Sequence, residues 1–264
     1  MANVVLVTGA SAGIGAAVGV RLQRAGWTVV GASRRATAPA GCEAVAMDVD
    51  DTEAVRVGVA GVLDRFGRLD AVVAAAGFGI AGAFETTPLD RAEAQLNTNL
   101  WGAVRVAQAA LPALRDQRGR LVFVGSIGGV IGLPFQAFYS ASKFALEGVA
   151  EALAYEVEPF GVQVTVVEPG NVATEFTARR QITGAGAADP YLAAAAKAIG
   201  KMAADEAAGA EPDAVAAAVE KVLLARRAPR RVSVGKAGER VGLVAKRLLP
   251  YRAFEAAAKS SLGV

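Results

Sequence analysis

Short apolar runs alternate with longer stretches of helical spacing along the whole chain, and this alternation limits the possible folds more than any other feature. The first run, at 4–7, is continuously apolar, as in a strand buried on both faces. Further strands are predicted at 27–30, 44–47, 71–76, 121–124, 162–167 and 231–234. Repeated strand-helix alternation implies right-handed crossovers, so the pattern predicts an α/β fold with a doubly wound parallel seven-stranded sheet in a single domain.

The helices between these strands are predicted from apolar spacing and from end signals. They are expected at 14–25, 55–66, 90–116, 138–158, 191–207 and 213–226. Asp50 and Glu53 have capping-box spacing before the second helix, and Pro112 is expected to kink the third. Because no linker or internal repeat interrupts the alternation, one domain is predicted.

Composition excludes several classes of function. The 264 residues are 53% hydrophobic and contain no histidine, which removes Ser-His-Asp catalysis and every histidine-containing metal site. Tyr, Lys, Ser and carboxylates remain as proton carriers, and no metal is expected. Cys42 is the single cysteine and is expected to be a buried thiol. The N-terminus lacks a basic region before its apolar run and no run of about 18 apolar residues occurs, so a cytoplasmic protein is expected.

The net charge of +3 is unevenly distributed. From Lys236 to the end, six basic residues and two acids give a local charge of +4, and the preceding residues sum to −1. A nucleic-acid binder would carry basic charge on the folded body, so no nucleic-acid partner is expected.

A glycine-rich turn links the first strand to the first helix. It reads Thr8-Gly9-Ala10-Ser11-Ala12-Gly13-Ile14-Gly15, a T-G-x(3)-G-x-G spacing. Glycines there allow a tight turn and a close approach to a pyrophosphate, whose charge is attracted by the N–H groups of the helix start. The alternative is a turn that merely requires glycine.

A second motif places a serine, a tyrosine and a lysine near one another. Ser126 is at the end of a predicted strand, and Tyr139 and Lys143 share one face of the following helix because they are four residues apart. A tyrosine of pKa about 10 is a poor acid-base catalyst at neutral pH, but an adjacent ammonium favours its phenolate form. An isolated Y-x-x-x-K on an amphipathic helix surface would be the structural alternative.

With these motifs in this order, the sequence resembles the classical short-chain dehydrogenases/reductases from about Val4 to Val234, and its stretch Gly125–Gly148 resembles hydroxysteroid and retinoid dehydrogenases. The resemblance implies a Rossmann-type fold and hydride transfer between a nicotinamide cofactor and a carbonyl or alcohol. It implies cofactor contacts from Thr8, Gly9, Ser11, Gly13, Ile14, Gly15, Asp48, Val49, Gly77, Tyr139, Lys143, Pro169, Gly170, Val172 and Thr174.

The resemblance also implies a catalytic set. Ser126 matches the serine that hydrogen-bonds the substrate oxygen, Tyr139 the acid/base, and Lys143 the residue that contacts the nicotinamide ribose and tunes the tyrosine. Asn99 matches the asparagine whose backbone holds a relay water. One departure is Ala74-Ala75-Ala76-Gly77 in place of Asn-Asn-Ala-Gly, which puts local rigidity and cofactor affinity in doubt.

Two other readings use the same fold. A non-catalytic NADP(H)-sensing protein is one, although such proteins tend to lose the tyrosine or lysine that this chain retains. An epimerase or dehydratase of the extended branch is the other, but 264 residues leave no room for its larger substrate domain.

Cofactor choice is predicted from the end of the second strand, where NAD-preferring relatives usually carry an acid. This chain has Ser33-Arg34-Arg35 there, which suits the 2′-phosphate of NADP(H), because arginine binds phosphate in a bidentate manner. The alternative is a solvated basic turn.

The substrate is predicted to be a lipophilic carbonyl or alcohol, steroid-, retinoid- or keto-compound-like. Apolar residues are expected at the carboxyl ends of the strands, where such sheets bind ligands. The alternative for each of them is a position that caps the core. They are Phe78, Ile80, Phe84, Leu133, Phe135 and Phe176, and no charged residue has an obvious anchoring role beside Tyr139.

Three further expectations concern organisation. Residues 1–235 are predicted to form the catalytic unit, with a substrate lid at about 175–210, and 236–264 to form a basic amphipathic helical extension. The apolar face of that extension is expected to pack beside the lid or on a neighbouring subunit, with contact to a membrane surface as the less favoured alternative. A homodimer or homotetramer is predicted through the two long helices, whose alanines suit close helix contact or packing on the sheet: Ala103, Ala107, Ala110, Ala150 and Ala154.

Overall fold

The computed structural model describes residues 2–184 and 186–262. Its strands are β1 (Val4–Thr8), β2 (Thr28–Ser33), β3 (Glu43–Ala46), β4 (Ala71–Ala74), β5 (Ile80–Ala81), β6 (Arg120–Val124), β7 (Gln163–Pro169), β8 (Gln181–Ile182) and β9 (Arg231–Val234). Within those residues, seven parallel strands form one sheet in the order β3-β2-β1-β4-β6-β7-β9, while β5 and β8 pair separately. The predicted doubly wound sheet is confirmed.

The helices are α1 (Gly13–Arg24), α2 (Thr52–Phe66), α3 (Leu89–Leu96), α4 (Ala103–Gln117), α5 (Ala137–Val157), α6 (Leu192–Ala207), α7 (Pro212–Leu224), α8 (Ala237–Leu248) and α9 (Tyr251–Leu262). α2, α4 and α5 cover one face of the sheet, and α1 and α7 cover the other. Leu6 of β1 packs in the first layer, and Val5 and Val7 pack in the second. Burial on both faces explains why this strand is continuously apolar.

β1 pairs with β2 on one side and with β4 on the other, so the order of the strands reverses between β1 and β4. At such a reversal the loops leaving the two strands diverge and open a crevice at the carboxyl ends. The turns that follow β1, β2, β4, β6 and β7 therefore meet at one edge of the sheet.

Three sequence-based expectations are corrected. Asp51, not Asp50, caps α2, because its carboxylate accepts from the Glu53 and Ala54 N–H groups at 2.8 and 3.1 Å. The single helix expected at 90–116 is divided by a π-helical turn, Asn97–Gly102, and α4 then continues through Pro112. The alanines offered for subunit contact are buried in the sheet-facing core, so they do not form an outer surface: Ala103, Ala107, Ala110, Ala150 and Ala154.

Two further observations concern membrane-spanning helices and the residues outside the described ranges. Within residues 2–184 and 186–262, no helix is both long enough and apolar enough to span a bilayer. Residues 1, 185 and 263–264, which belong to the predicted catalytic unit, lid and tail, lie outside the described residues.

Candidate active site

The turn after β1 has a backbone that two of its glycines make possible. Gly9 has a φ of +69°, and a Cβ there would lie 2.9 Å from the backbone of Ala76. A Cβ at Gly15 would collide with the carbonyl oxygen of Gly9. Both positions therefore require glycine, because the turn is closed against β4 on one side and against the start of α1 on the other.

The start of α1 offers hydrogen-bond donors to an anion. Ala12 stands at the N-cap, and among the described residues no side chain caps the first N–H groups. Ser11 beside it is exposed, and Ile14 packs partly into the core. Uncapped N–H groups at a helix N-terminus carry partial positive charge, so the turn suits a diphosphate.

The segment after β7 faces this turn. Pro169 ends β7, the Gly170 N–H donates to the Val234 carbonyl at 2.7 Å, and Val172 is buried. Thr174 lies beside Gly13, where a Cβ would be 3.6 Å from the Thr174 Cβ. The two segments therefore border one cleft, and its glycine-lined wall and free donors fit the dinucleotide that the sequence predicts.

Ser126, Tyr139 and Lys143 meet at the carboxyl end of β6. The Ser126 hydroxyl accepts from the Gly128 N–H at 3.0 Å, and it lies on the same side of Gly128 as the Tyr139 ring. The Lys143 Nζ donates to the Val124 carbonyl at 2.8 Å and lies 5.9 Å from the centre of the Tyr139 ring. The serine is held by its strand end, whereas tyrosine and lysine are held one turn apart on α5.

Burial and neighbouring charges shift the pKa values of this group. Burial raises the pKa of Tyr139, while the neighbouring Ser126 hydroxyl lowers it. Burial lowers the pKa of Lys143 to about 8, against a smaller opposing effect from Glu147. A donor pair on tyrosine and serine beside a cation of reduced pKa is suited to exchanging a proton with an oxygen in the cleft.

Asn99 lies in the π-helical turn and its side chain fixes the segment after β4. Its Oδ1 accepts from the Phe78 N–H at 3.0 Å, and its Nδ2 donates to the Phe78 carbonyl at 3.0 Å. The same Nδ2 is 3.2 Å from the Ser142 hydroxyl on α5, and Gly77 packs against the Asn99 amide. Asn99 therefore joins the β4 loop to the helix that carries Tyr139, while the predicted relay water at its backbone stays a prediction.

The alanines that replace the usual asparagines are held by another group. The Thr8 hydroxyl accepts from the Ala75 and Ala76 N–H groups at 3.1 and 3.2 Å. Both donors belong to the backbone, so the side chains at these positions are not needed for this link between β1 and β4.

The predicted adenosine end lies at the tips of β2 and β3. The Ser33 hydroxyl is occupied by Thr37, accepting from its N–H at 2.7 Å and donating to its carbonyl at 2.9 Å. Arg34 and Arg35 are exposed and form no ion pair in the part of the chain that the structure describes. Both arginines follow the end of β2, where the sequence predicts that the adenosine ribose of the cofactor binds.

The two residues predicted to contact adenine differ in exposure. The Asp48 Oδ1 accepts from the Asp50 N–H at 3.1 Å, and its side chain is half-buried. Val49 is buried against the π-helical turn, where a Cβ at Gly102 would lie 2.8 Å from its Cγ2. Val49 thus fixes the strand end, and only Asp48 is partly open.

The apolar residues predicted to line a substrate pocket divide into two groups. The Phe176 ring meets the Tyr139 ring edge-on with centroids 5.9 Å apart, and Leu133 lies close to Gly128, as Ser126 and Tyr139 do. Ile80, in contrast, is buried in β5, and Phe84 stacks on Phe138 while remaining exposed. Phe176 and Leu133 border the tyrosine, whereas Ile80 belongs to the core.

A buried ion pair that was not predicted from the sequence lies beside the tyrosine. The Arg180 side chain is only 2% exposed and pairs with Glu206, which also accepts from the Thr177 hydroxyl. Arg180 lowers and Glu206 raises the pKa of Tyr139, so both charges lie near the proposed reacting atoms. A charged pair therefore accompanies Tyr139, although Arg180 is already paired with Glu206, and the expectation that no charged residue anchors the substrate there stays a prediction.

Two further polar residues were missed although they share helix faces with predicted ones. Gln95, four residues before Asn99, donates to the Phe78 carbonyl at 3.1 Å. Glu147, four residues after Lys143, is buried and accepts from Arg231 at 2.9 Å. The i,i+4 spacing was the available signal. Among the described side chains, no cluster of three or more carboxylates and cysteines is arranged to hold a metal ion.

Comparison with known proteins places this geometry in a family. The model of the short chain dehydrogenase family matches residues 3–183, which include β1, the glycine turn, Ser126, Tyr139 and Lys143. The chain belongs to the short-chain dehydrogenase family. Its predicted family resemblance is thereby confirmed.

Relatives of this short-chain dehydrogenase include two with named substrates. The 3-ketodihydrosphingosine reductase of Bacteroides thetaiotaomicron is 37% identical over 236 residues, covering 88% of each chain. Human 17-beta-hydroxysteroid dehydrogenase type 1 is 38% identical over 192 residues, 66% of this chain and 58% of that protein.

Solved structures agree on the fold. A short-chain dehydrogenase from Streptomyces avermitilis matches with a TM-score of 0.83 and 33% identity over 100% of this chain and 97% of that one. An alcohol dehydrogenase from Thermococcus sibiricus, complexed with 5-hydroxy-NADP, matches with a TM-score of 0.72 and 23% identity over 90% of this chain and 97% of that chain.

Proposed function

We propose that this protein is an NADP(H)-dependent oxidoreductase that interconverts lipophilic carbonyl compounds and their alcohols. The observation that carries the proposal is the grouping of Ser126, Tyr139 and Lys143 beside the cleft between the glycine turn and Thr174. A protein that only senses the cofactor would not need an acid-base group there.

The roles follow from the positions of the hydroxyl groups. Ser126 and Tyr139 lie side by side next to Gly128 and would donate together to the substrate oxygen, which stabilises negative charge on it during reduction. Tyr139 would then give its proton to that oxygen. The Lys143 ammonium would favour the tyrosinate that remains and would contact the nicotinamide ribose. When bound, the nicotinamide supplies or accepts the hydride.

Binding of the cofactor would use the groups around the turn. The N–H groups at the start of α1 and the Ser11 hydroxyl would hold the diphosphate, and Gly9, Gly13 and Gly15 would allow its approach. Asp48 and Val49 would border the adenine, while Gly77, Pro169, Gly170, Val172 and Thr174 would border the nicotinamide half.

The preference for NADP(H) is proposed from Arg34 and Arg35. Both guanidinium groups are exposed at the end of β2, and no described carboxylate pairs with them. Charge-assisted bonds to a phosphate contribute about 1.5–3 kcal/mol each, which is at least tenfold in affinity. The Ser33 hydroxyl is engaged by Thr37, so the arginines are the stronger candidates for a 2′-phosphate.

A lipophilic substrate is proposed from the walls near Tyr139 and from the relatives. Phe176 and Leu133 border the tyrosine, and the buried Arg180 is already neutralised by Glu206. Arg180, the described guanidinium beside Tyr139, is therefore not free to anchor a small anionic substrate. The names of two relatives, a 3-ketodihydrosphingosine reductase and a 17-beta-hydroxysteroid dehydrogenase, support large apolar carbonyl compounds as substrates.

The test is a set of initial rates with 3-ketodihydrosphingosine, a 17-ketosteroid and acetoacetate, each with NADPH and with NADH. Each buried methylene contributes about 0.8 kcal/mol, so we expect kcat/KM for a lipophilic ketone to exceed that for acetoacetate by about 100-fold or more. The Arg34→Ala/Arg35→Ala variant should raise KM for NADPH but not for NADH, and Arg24→Ala on α1 is the control. Equal preference for NADH, or for acetoacetate, would refute the respective part.

A further inference from the structure

The last two helices carry an apolar surface that faces away from the protein. We call it the tail patch, and its five side chains are between 43% and 78% exposed: Val241, Val244, Leu248, Leu249 and Tyr251. Val241, Val244 and Leu248 have the spacing of a single stripe on α8. Large apolar side chains that are exposed together, rather than singly, mark a surface that meets another phase or molecule.

The opposite side of α8 contacts the protein, and two of its charged side chains form specific contacts there. Glu239 accepts from the N–H and the side-chain amide of Asn171 at 3.0 and 2.6 Å. Lys246 donates to the Val130 carbonyl and lies 4.9 Å from the centre of the Phe144 ring. α8 is therefore fixed over the loops that follow β6 and β7, beside the proposed substrate entrance.

The apolar face of the tail was expected to pack beside the lid or on a neighbouring subunit. In the single chain it is exposed, and the face bearing Glu239 and Lys246 contacts the loops that follow β6 and β7. α9 in turn packs against α6, which lies in the predicted lid. The tail patch is thus a free surface of the folded chain.

Unpaired positive charge borders the tail patch. Arg240 and Arg247 are seven residues apart on α8, so they lie on the same side, next to the stripe. Lys236 and Arg252 stand at the two ends. All four are exposed, and none pairs with a carboxylate in the part of the tail that the structure describes. The patch therefore combines exposed apolar side chains with cations free to meet an anionic surface.

We propose that the tail patch binds the surface of an anionic lipid bilayer, with the apolar stripe in the interfacial region and the four cations against lipid headgroups. Amphipathic helices with basic flanks lie in a bilayer interface in this way. A second copy of the chain fits less well, because a symmetric contact would bring the same cations together. The consequence that lipophilic substrates enter from the bilayer rests on the proposed function. The binding of the tail patch to the bilayer does not rest on it.

The experiment is co-sedimentation of the full chain with vesicles of phosphatidylcholine alone or with one quarter phosphatidylglycerol. We expect binding only to the anionic vesicles, weakened by salt. Each basic residue near such a surface contributes about 1 kcal/mol, so Arg240→Gln/Arg247→Gln should weaken binding about 30-fold. Val241→Ser/Val244→Ser/Leu248→Ser should weaken it at least about tenfold.

Matched controls are available at the end of α7. Arg226→Gln/Arg227→Gln removes two exposed cations elsewhere, and Leu224→Ser removes a side chain that is 65% exposed, so neither should change sedimentation. Circular dichroism and activity on a water-soluble ketone check that the tail variants remain folded.

Equal binding to neutral and anionic vesicles would overturn the proposal, and so would sedimentation that the tail variants leave unchanged. A lower mass of the tail variants than of the wild type in light scattering would also overturn it, because the patch would then be a contact between copies of the chain. Because sedimentation needs no turnover, a chain that binds vesicles but reduces no ketone would refute the proposed function and leave this inference standing.

Discussion

Lys143 is a buried cation, and two effects shift its pKa in opposite directions. Burial lowers its pKa to about 8, and the carboxylate of Glu147, one helical turn further along α5, raises it. Arg231 donates to one oxygen of Glu147. The other oxygen, Oε1, has no partner within the described residues and faces Gly125. Gly125 lies in the chain between Val124, whose carbonyl accepts from Lys143, and Ser126. Glu147 thus acts on the pKa of Lys143, and we expect it to be a positioning residue for the reaction.

We expect Glu147→Gln to move the alkaline limb of the pH profile to lower pH. In carbonyl reduction the ammonium form of Lys143 is the active one, so kcat/KM should fall as pH rises through its pKa. Removing the negative charge that raises this pKa lowers it, and the midpoint of the fall should shift downward. Glu151→Gln is the control, since Glu151 also accepts from Arg231 but is exposed. An unchanged midpoint in Glu147→Gln would contradict the assignment.

We expect Tyr139→Phe to fold and to bind NADPH but to lose turnover by about 10²–10⁴, the usual contribution of an acid-base group. The change deletes only a hydroxyl, whose neighbour Ser126 retains its bond from the Gly128 N–H. Cofactor binding is measured by fluorescence and turnover by absorbance at the NADPH band. A kcat near that of the wild type, on any substrate the wild type reduces, would show that another group donates the proton.

At the scale of the element, one hydroxyl ties the loop that follows β4 to the end of β1, in addition to the pairing of the two strands in the sheet. Thr8 is fully buried and accepts from two backbone N–H groups of the loop that follows β4. This hydroxyl thus supplies one link to the loop in a chain that lacks the family asparagines. The link lies at the reversal of strand order, where the cofactor cleft begins.

We expect Thr8→Val to lower the free energy of unfolding by about 1–3 kcal/mol, because it leaves buried N–H groups without an acceptor at nearly constant volume. Urea denaturation measures the change, and Thr8→Ser, which retains the hydroxyl, serves as the control. Since the same loop borders the cleft, the KM for NADPH should rise as well. Equal stability of the valine and serine variants would mean that another acceptor holds the loop.

At the scale of the whole molecule, the outer faces of α4 and α5 form the surface on which we expect the chain to dimerise. The alanines first considered for that contact face the sheet, but Trp101, Ala141, Gly148 and Ala152 are exposed. Small side chains on an exposed helix face allow close approach of a second copy, and a two-fold axis would pair each helix with its own counterpart.

We expect Gly148→Arg to halve the mass measured by light scattering, because a Cβ at Gly148 meets nothing within 4 Å in one chain but would project into a second copy. Gly61→Arg on α2, another exposed helix glycine with nothing within 4 Å, is the control and should leave the mass unchanged. A wild-type chain that is monomeric at all concentrations would remove the basis for the prediction.

The sequence by itself determined the order and type of the elements, because burial on both faces makes central parallel strands such as β1 and β4 apolar and chirality fixes the crossovers. It also determined which residues share a helix face, as Tyr139 and Lys143 do, since that depends only on spacing. Even so, the N-cap of α2 is Asp51 and not Asp50, and a π-helical turn that begins at Asn97 divides the predicted third helix. A shift of one residue in the local backbone is enough to change such helix ends.

Only the tertiary structure decided which distant groups meet. Thr8 contacts a loop 67 residues further along the chain, and Arg180 and Glu206 come together beside Tyr139 from two parts of the lid. The side of α8 that faces the protein was likewise settled by Asn171 and Lys246, not by the apolar pattern of the helix. Periodicity gives the faces of a helix, but the partner that covers each face depends on contacts between residues far apart in sequence.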